Sequence, residues 1–233
     1  MRILGIGAHP DDLEILCGGT LAKYSRNGHK ISMAIVTDGS AGSTQYSVEE
    51  LKKIRHDEAK KAAKLINAEF IWLGEPDEFF FENKETRNKI LDLIRQAKPD
   101  LIITHAPSDY HPDHQAVSQA VLNASFVSSL ANIKSKHEVH ELVCPLYYMD
   151  TLAGVNFQPS EYVDITEHFD LKQKMLTCHS SQLKWLKEHD NIDALELIET
   201  VAKFRGYQSG VKYAEAFQLA PYWLRIKPAR LLP

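Results

Sequence analysis

Two short runs carry most of the chemistry in this chain of 233 residues: His9-Pro10-Asp11-Asp12, and His111-Pro112-Asp113-His114 about a hundred positions later. Imidazole and carboxylate are ordinary ligands of a divalent cation such as zinc, and two histidines with one aspartate leave a coordination place open. A second carboxylate beside that place can take a proton from water. We therefore expect His9, Asp12 and His114 to bind the metal and Asp11 to face the attacking water. Pro10 fixes its φ, stiffens the turn and lets adjacent carboxylates point in different directions. Asp11 serves as a base only while ionised, and a nearby dication holds its pKa down. In the second run, Asp113 is expected to pair with the His111 ring, favouring an imidazolium that stabilises an oxyanion or protonates a departing amine. The expected reaction class is metal-dependent hydrolysis. The expected cation is divalent, and such ligands discriminate weakly between zinc and iron(II).

Both runs follow apolar stretches. Ile3 to Ala8 are all apolar or glycine, and Leu101-Ile102-Ile103 precede the turn at Ala106-Pro107-Ser108-Asp109. Such runs read as strands covered on both faces. Further strands are expected near 31–37, 69–73 and 145–150, with helices near 19–27, 48–66, 85–97 and 113–127. The alternation predicts an α/β, Rossmann-like, mostly parallel sheet with helices on both faces. Ser47 with Glu50 makes a capping box at the start of the second helix. Beyond about 155 the pattern turns helical, over 168–178 and 192–204, before a last stretch from Tyr213 to Leu219. In an open parallel sheet, ligands gather at the strands' C-terminal edge, where residues distant in sequence meet.

Length and an apolar fraction of 44% fit one domain over the whole chain, 1–233. A formal charge of -4 with no Lys/Arg run argues against a nucleic-acid surface. No apolar run approaches a membrane span. The opening stretch is too short and too soon polar for a secretory segment. Cys17, Cys144 and Cys178 suggest neither disulfides nor a thiolate zinc site, so a reducing cytoplasm is expected.

Ala8-His9-Pro10-Asp11-Asp12-Leu13-Glu14 and His111-Pro112-Asp113-His114-Gln115-Ala116 resemble the two signatures of the LmbE-like, or PIG-L, deacetylases. Gly18-Gly19-Thr20, Thr37-Asp38-Gly39, Arg55 with Glu58, His179-Ser180-Ser181-Gln182 and Ala214-Glu215-Ala216-Phe217 fall in the same order. The resemblance implies a zinc-dependent removal of the acetyl group from an N-acetylglucosamine derivative. His9, Asp12 and His114 would be the ligands, Asp11 the base and His111, oriented by Asp113, the charge-stabilising histidine. Arg55 would reach a substrate hydroxyl or an anionic aglycone group. A homo-oligomer, trimer or hexamer, is expected on resemblance alone. Ser40 and Asn67 depart from the pattern, where a glutamate and a glycine are common, and leave the subfamily open. Whether Asp11 or His111 protonates the leaving nitrogen is also open.

Each residue also has a plainer reading. The first run alone would be an Asx turn capping a helix. Arg55 would pair on the surface with Glu58 or Asp57. His179 and Gln182, expected to touch substrate, would otherwise form a polar cap after a helix. Tyr110 faces either the tetrahedral intermediate or a packing contact, and Phe79-Phe80-Phe81 is a core plug or an oligomer contact before it is a sugar platform. His56, His105, His137, His140, His168 and His189 read as structural or surface residues, with His105 placed to stand behind the second run. A rival function is a nucleotide-sugar-binding Rossmann protein without hydrolase activity, but no Gly-x-Gly-x-x-Gly joins the first strand to its helix. A metal-stabilised binding protein would leave Asp11 and His111 without a task.

Overall fold

The computed structural model describes residues 1–223 and Arg225. In chain order its elements are β1 (Arg2–Gly7), α1 (Asp12–Arg26), β2 (Lys30–Thr37), α2 (Val48–Leu65), β3 (Glu69–Glu75), α3 (Lys84–Ala97), β4 (Leu101–Thr104) and α4 (Pro112–Val127). They continue as β5 (Leu146–Met149), β6 (Glu161–Asp164), α5 (Phe169–Leu176), α6 (Ser180–His189), α7 (Ala194–Ser209) and β7 (Ala214–Leu219). The described strands form one sheet in the order β3-β2-β1-β4-β5-β7-β6. β1 to β5 run parallel, while β7 pairs antiparallel with both β5 and β6.

Alternation along the strands sorts side chains to two cores, as the pleat requires. Ile3, Met33, Ile35, Leu101 and Ile103 face the side packed by α1, α2 and α5. Leu4, Ile6, Ala34, Val36 and Ile102 face α3 and α4. Both faces are therefore covered, which is why the strands read as continuous apolar runs. The order reverses between β1 and β4, so their crossovers leave in opposite directions and open a crevice at the strand ends. The first run follows β1 and the second follows β4.

The expected helix near 19–27 starts earlier, at Asp12. Its Gly18-Gly19 signal has another cause. The N–H groups of Gly19 and Thr20 donate to the Glu215 carboxylate at 2.9 and 2.7 Å, and Lys172 donates to the Ile15 carbonyl at 2.7 Å and to Glu215. A buried ion pair is thus set against the middle of α1. A Cβ on Gly19 would stand 2.8–2.9 Å from Ile165, so only glycine allows this approach. The capping box of α2 is present, with Ser47 and Glu50 bonded reciprocally. Asn67, where a glycine is common, has φ 52°, a conformation that asparagine tolerates better than most residues.

The C-terminal third is more helical, as expected, with two additions. β6 was not expected, and α6 separates what reads as one helix end from α7. His179 and Gln182 consequently do not cap the end of a helix: His179 is the N-cap residue of α6 and Gln182 lies in its first turn.

Candidate metal centre

His9 lies two residues past β1, in a turn closed when the Asp12 N–H donates to the His9 carbonyl at 3.3 Å. Asp11 sits at the N-cap position of α1 with φ 122° and ψ -23°, yet its side chain caps nothing. An Asx cap would explain the motif without chemistry, and that reading fails here. A positive φ costs a non-glycine residue on the order of 1–3 kcal/mol, and such strain gathers at functional sites. The cost presents Asp11 and Asp12 in different directions from one turn.

Asp12 and His114 face each other across the β1/β4 crevice. His9 Nδ1 lies 3.2 Å from His114 Nε2 and 3.4 Å from Asp12 Oδ2, and His114 Nε2 lies 3.2 Å from Asp12 Oδ1. Donor atoms sharing a tetrahedral cation at ordinary zinc bond lengths stand about 3.3–3.5 Å apart. Each imidazole offers its other nitrogen to carboxylates. His9 Nε2 is 3.2 Å from Asp113 Oδ2 and 3.3 Å from Asp77 Oδ1, and His114 Nδ1 is 3.1 Å from Asp109 Oδ2. Asp113 can claim the His9 ring N–H, while Asp109 stands beside His114 Nδ1 without a formed hydrogen bond; the other two ring nitrogens face the Asp12 carboxylate. Such second partners are the usual support of metal-binding histidines. The residues therefore fit a divalent cation.

The electrostatics say the same. Burial alone would lower the pKa of His9 and His114, but Asp12 and the other acids outweigh it; His9 is held well above the usual range and His114 is pushed up to about 9. The site favours positive charge, whether proton or metal. His105, stacked 3.9 Å from His114, accepts the Ala8 N–H at 2.9 Å and is pushed down to about 4, by burial and then by His114. It stands behind the centre as a neutral ring.

Asp11 is buried, and its carboxylate accepts no hydrogen bond among the described residues. Burial, then the charge of Asp12, pushes its pKa up to about 7, while Arg55 and His179 pull it down. A dication at the three donors would add to that pull. Arg55, 4% exposed, faces the same cavity, with its Nε unpartnered. The surface pairing with Glu58 or Asp57 does not form. Glu58 instead accepts from Ser180 Oγ, Ser181 N–H and Ser181 Oγ at 2.7, 2.9 and 2.6 Å, anchoring the start of α6. Gly39 closes over Arg55 at φ 63°, where a Cβ would stand 2.7 Å from Nη1.

The second run departs from expectation in one respect. The Asp113 carboxylate does not hold His111; it faces His9 and accepts the N–H groups of Glu78 and Phe80 at 2.9 and 3.3 Å. The physical reason is helix geometry. His111 is the N-cap of α4, and its Nδ1 accepts the backbone N–H of Asp113 at 3.2 Å. That bond fixes the tautomer with the proton on Nε2, which lies 3.3 Å from Glu78 Oε1 beside the metal donors. Tyr110, 68% exposed, lines the cavity mouth, and Gln182 lines its wall. His179 does not line it; fully buried, it lies beneath, 3.2 Å from Glu14, so the expected substrate contact is not met by its position.

Sequence reasoning missed Asp77, Glu78, Asp109 and Trp185. Asp77 and Glu78 follow β3, a strand end at the same edge as β1 and β4, which was the available signal. Glu78 has φ 65°, a second strained residue at the site.

Fold and site together define an α/β protein with a His/Asp cluster able to hold a metal at the switch point of its sheet. The profile of the family described as PIG-L: GlcNAc-PI de-N-acetylase matches residues 4–125, over half the chain, and the chain belongs to that family. Among curated proteins it is similar to the diacetylchitobiose deacetylase of Thermococcus kodakarensis, 29% identical over 94% of this chain and 83% of that protein. The solved N,N'-diacetylchitobiose deacetylase of Pyrococcus horikoshii superposes with a TM-score of 0.83 at 28% identity, covering 94% of this chain and 83% of the other. A 4-carboxy-2-hydroxymuconate hydratase from Pseudomonas putida shares the fold at a TM-score of 0.83 and 20% identity, over 99% of this chain and all of the other. The fold alone therefore does not name the reaction.

Proposed function

We propose that this protein is a metal-dependent hydrolase that removes the acetyl group from an N-acetylglucosamine derivative, releasing acetate and a free amine. The observation that carries the reading is the convergence of His9 Nδ1, Asp12 and His114 Nε2 within 3.2–3.4 Å of one another, with the unpaired Asp11 carboxylate in the same cavity. Family membership and the similarity to deacetylases supply the substrate class. Zinc is the proposed occupant, with iron(II) as the alternative, and it would supply Lewis acidity towards the amide carbonyl and a lowered pKa for water.

The protein's own residues account for the remaining steps. Asp11 takes a proton from the attacking water, and its burial strengthens that basicity. His111, neutral with its proton on Nε2, donates that N–H to the carbonyl oxygen as negative charge develops there. Arg55, Gln182 and Tyr110 are proposed to hold sugar hydroxyls, and Asp113 acts through His9 as a positioning residue. A proton held by Asp11 is returned to the leaving nitrogen as the C–N bond breaks.

A nucleotide-sugar binder fits less well, because Asp11, Asp12, Asp77 and Glu78 line the cavity that a pyrophosphate would enter. No helix among the described residues is long and apolar enough to cross a membrane. A cytoplasmic location and a homo-oligomer, trimer or hexamer, complete the proposal. Phe80 plugs the core, while Phe79 and Phe81 are 69% and 64% exposed, which supports an oligomer contact there. The direct test is amine release from N-acetylglucosamine and its glycosides by zinc-loaded protein. No release from any of them, under conditions in which zinc is bound, would refute the reading.

A further inference from the structure

The cavity of about 220 Å³ at the metal centre has two unlike ends. One holds the metal donors, Asp11, Glu78 and His111. The other is mainly hydrocarbon drawn from separate elements: Ile15 and Leu16 of α1, Leu186 of α6, Ile192 in the following loop, and Ala194 with Leu197 of α7, with Trp185 and Asp190 also in the lining. The two ends are linked by helix geometry. Ile15 follows Asp11, and Leu16 follows Asp12, by four residues, and the Ile15 N–H donates to the Asp11 carbonyl at 2.9 Å. Residues four apart lie one above the other on the same helix face. Ile15 and Leu16 therefore follow by one turn the two carboxylates proposed to serve the base and the metal.

An acetamide has two substituents on its amide group, a methyl on the carbonyl carbon and the sugar on nitrogen. The sugar needs hydrogen-bonding partners, and Arg55 and Gln182 line this cavity, each with a buried atom, Nε and Oε1, that has no partner among the described residues. They suit hydroxyl groups. The hydrocarbon end is left for the carbonyl substituent, and six apolar side chains are available to line it. An apolar aglycone, the other candidate, begins three bonds from the amide nitrogen and so starts farther from the carboxylates of α1.

We propose that the apolar end is an acyl-chain subsite and that the enzyme hydrolyses N-acylglucosamine derivatives with chains longer than acetyl. This rests on the amide-hydrolase reading above. Water's oxygen bonds to the acyl carbon, the C–N bond breaks, both hydrogens of that water end on the amine as an ammonium, and the longer carboxylate leaves. Each buried methylene contributes up to about fourfold in affinity or rate.

The experiment compares kcat/KM for N-acetyl-, N-butyryl- and N-hexanoylglucosamine and for octyl N-acetylglucosaminide, by amine release from zinc-loaded protein. Butyryl is expected to exceed acetyl by about threefold or more. Leu197→Phe, which fills the subsite, is expected to reduce the butyryl-to-acetyl ratio about tenfold, and Leu186→Phe repeats the test should the first variant fold poorly. Turnover of acetyl without any gain for butyryl or hexanoyl overturns the proposal and leaves the deacetylase reading standing. A preference for the octyl glycoside with no effect of acyl length also overturns it, assigning the apolar end to the aglycone. Turnover of none of the four removes both readings.

Discussion

At the scale of single residues, the centre divides its work among carboxylates that are chemically alike. Asp12 faces three imidazole nitrogens, those of His9, His105 and His114; Asp113 and Asp77 stand at the far side of His9, Asp109 stands beside His114, and the Asp11 carboxylate has no hydrogen-bond partner among the described residues. Asp11→Asn should retain the metal and lose about 10²–10⁴ in kcat, the usual contribution of a general base. His9→Ala or His114→Ala should lose the metal itself. Metal analysis beside amine-release rates on these three variants separates the two roles, and a fully active Asp11→Asn protein rules out the base. Asp113→Ala gives a sharper contrast. Because its carboxylate faces His9, metal affinity should fall about 10–100-fold. The His111 tautomer should persist, since the backbone N–H of Asp113 maintains it; chelator competition measures the first effect and imidazole NMR the second. The donor residues were legible in sequence because His-Pro-Asp-Asp and His-Pro-Asp-His place rare ligand types together. The pairing of Asp113 was not, because sequence adjacency to His111 and contact with His9, a hundred residues away, compete for one side chain.

At the scale of elements, what matters is how α1 is held. Its first turn carries Asp12, Glu14, Ile15 and Leu16, and its middle is gripped by the buried Lys172–Glu215 pair from α5 and β7. Replacing both partners by well-packed hydrophobes can be neutral, whereas removing one strands a buried charge. Glu215→Ala should therefore cost about 3–5 kcal/mol in urea unfolding. The cost should fall sharply in Glu215→Ala combined with Lys172→Met; equal costs in the single and double variants would show that the ion pair is not the cause. Gly19→Ala forces a Cβ into Ile165 and should cost about 1–3 kcal/mol. β1, β2, β4 and α2 were readable from apolar runs and a capping box. The start of α1 was not, since His-Pro-Asp-Asp reads as loop and Gly18-Gly19 as a helix boundary. β6, only Glu161–Asp164, depends on β7 more than fifty residues away and has no local signal.

For the whole molecule, a metal held by His9, Asp12 and His114 as proposed would tie the loop after β1 to the start of α4. It binds the folded arrangement and has no counterpart in the unfolded chain, so zinc should raise stability by mass action. At a free concentration a hundred times Kd the gain is about 2.7 kcal/mol. Thermal unfolding with and without chelator measures it, and His114→Ala should abolish the difference. An unchanged midpoint in a protein that holds zinc would place the ion elsewhere.

The sequence by itself determined which residue types stand at the ends of which strands, because apolar alternation and turn chemistry are local and each run carries its own pattern. It also carried the expectation that a cation and a spare carboxylate share a site, which the metal analysis above is designed to test. Tertiary structure alone decided which imidazole nitrogen each ligand offers, that Arg55 faces the cavity unpaired, that His179 lies beneath it with Glu14, and that hydrocarbon from α1, α6 and α7 closes its far end. Those outcomes depend on contacts between segments far apart in the chain, where the strength of a pairing is set by distance and burial in the fold.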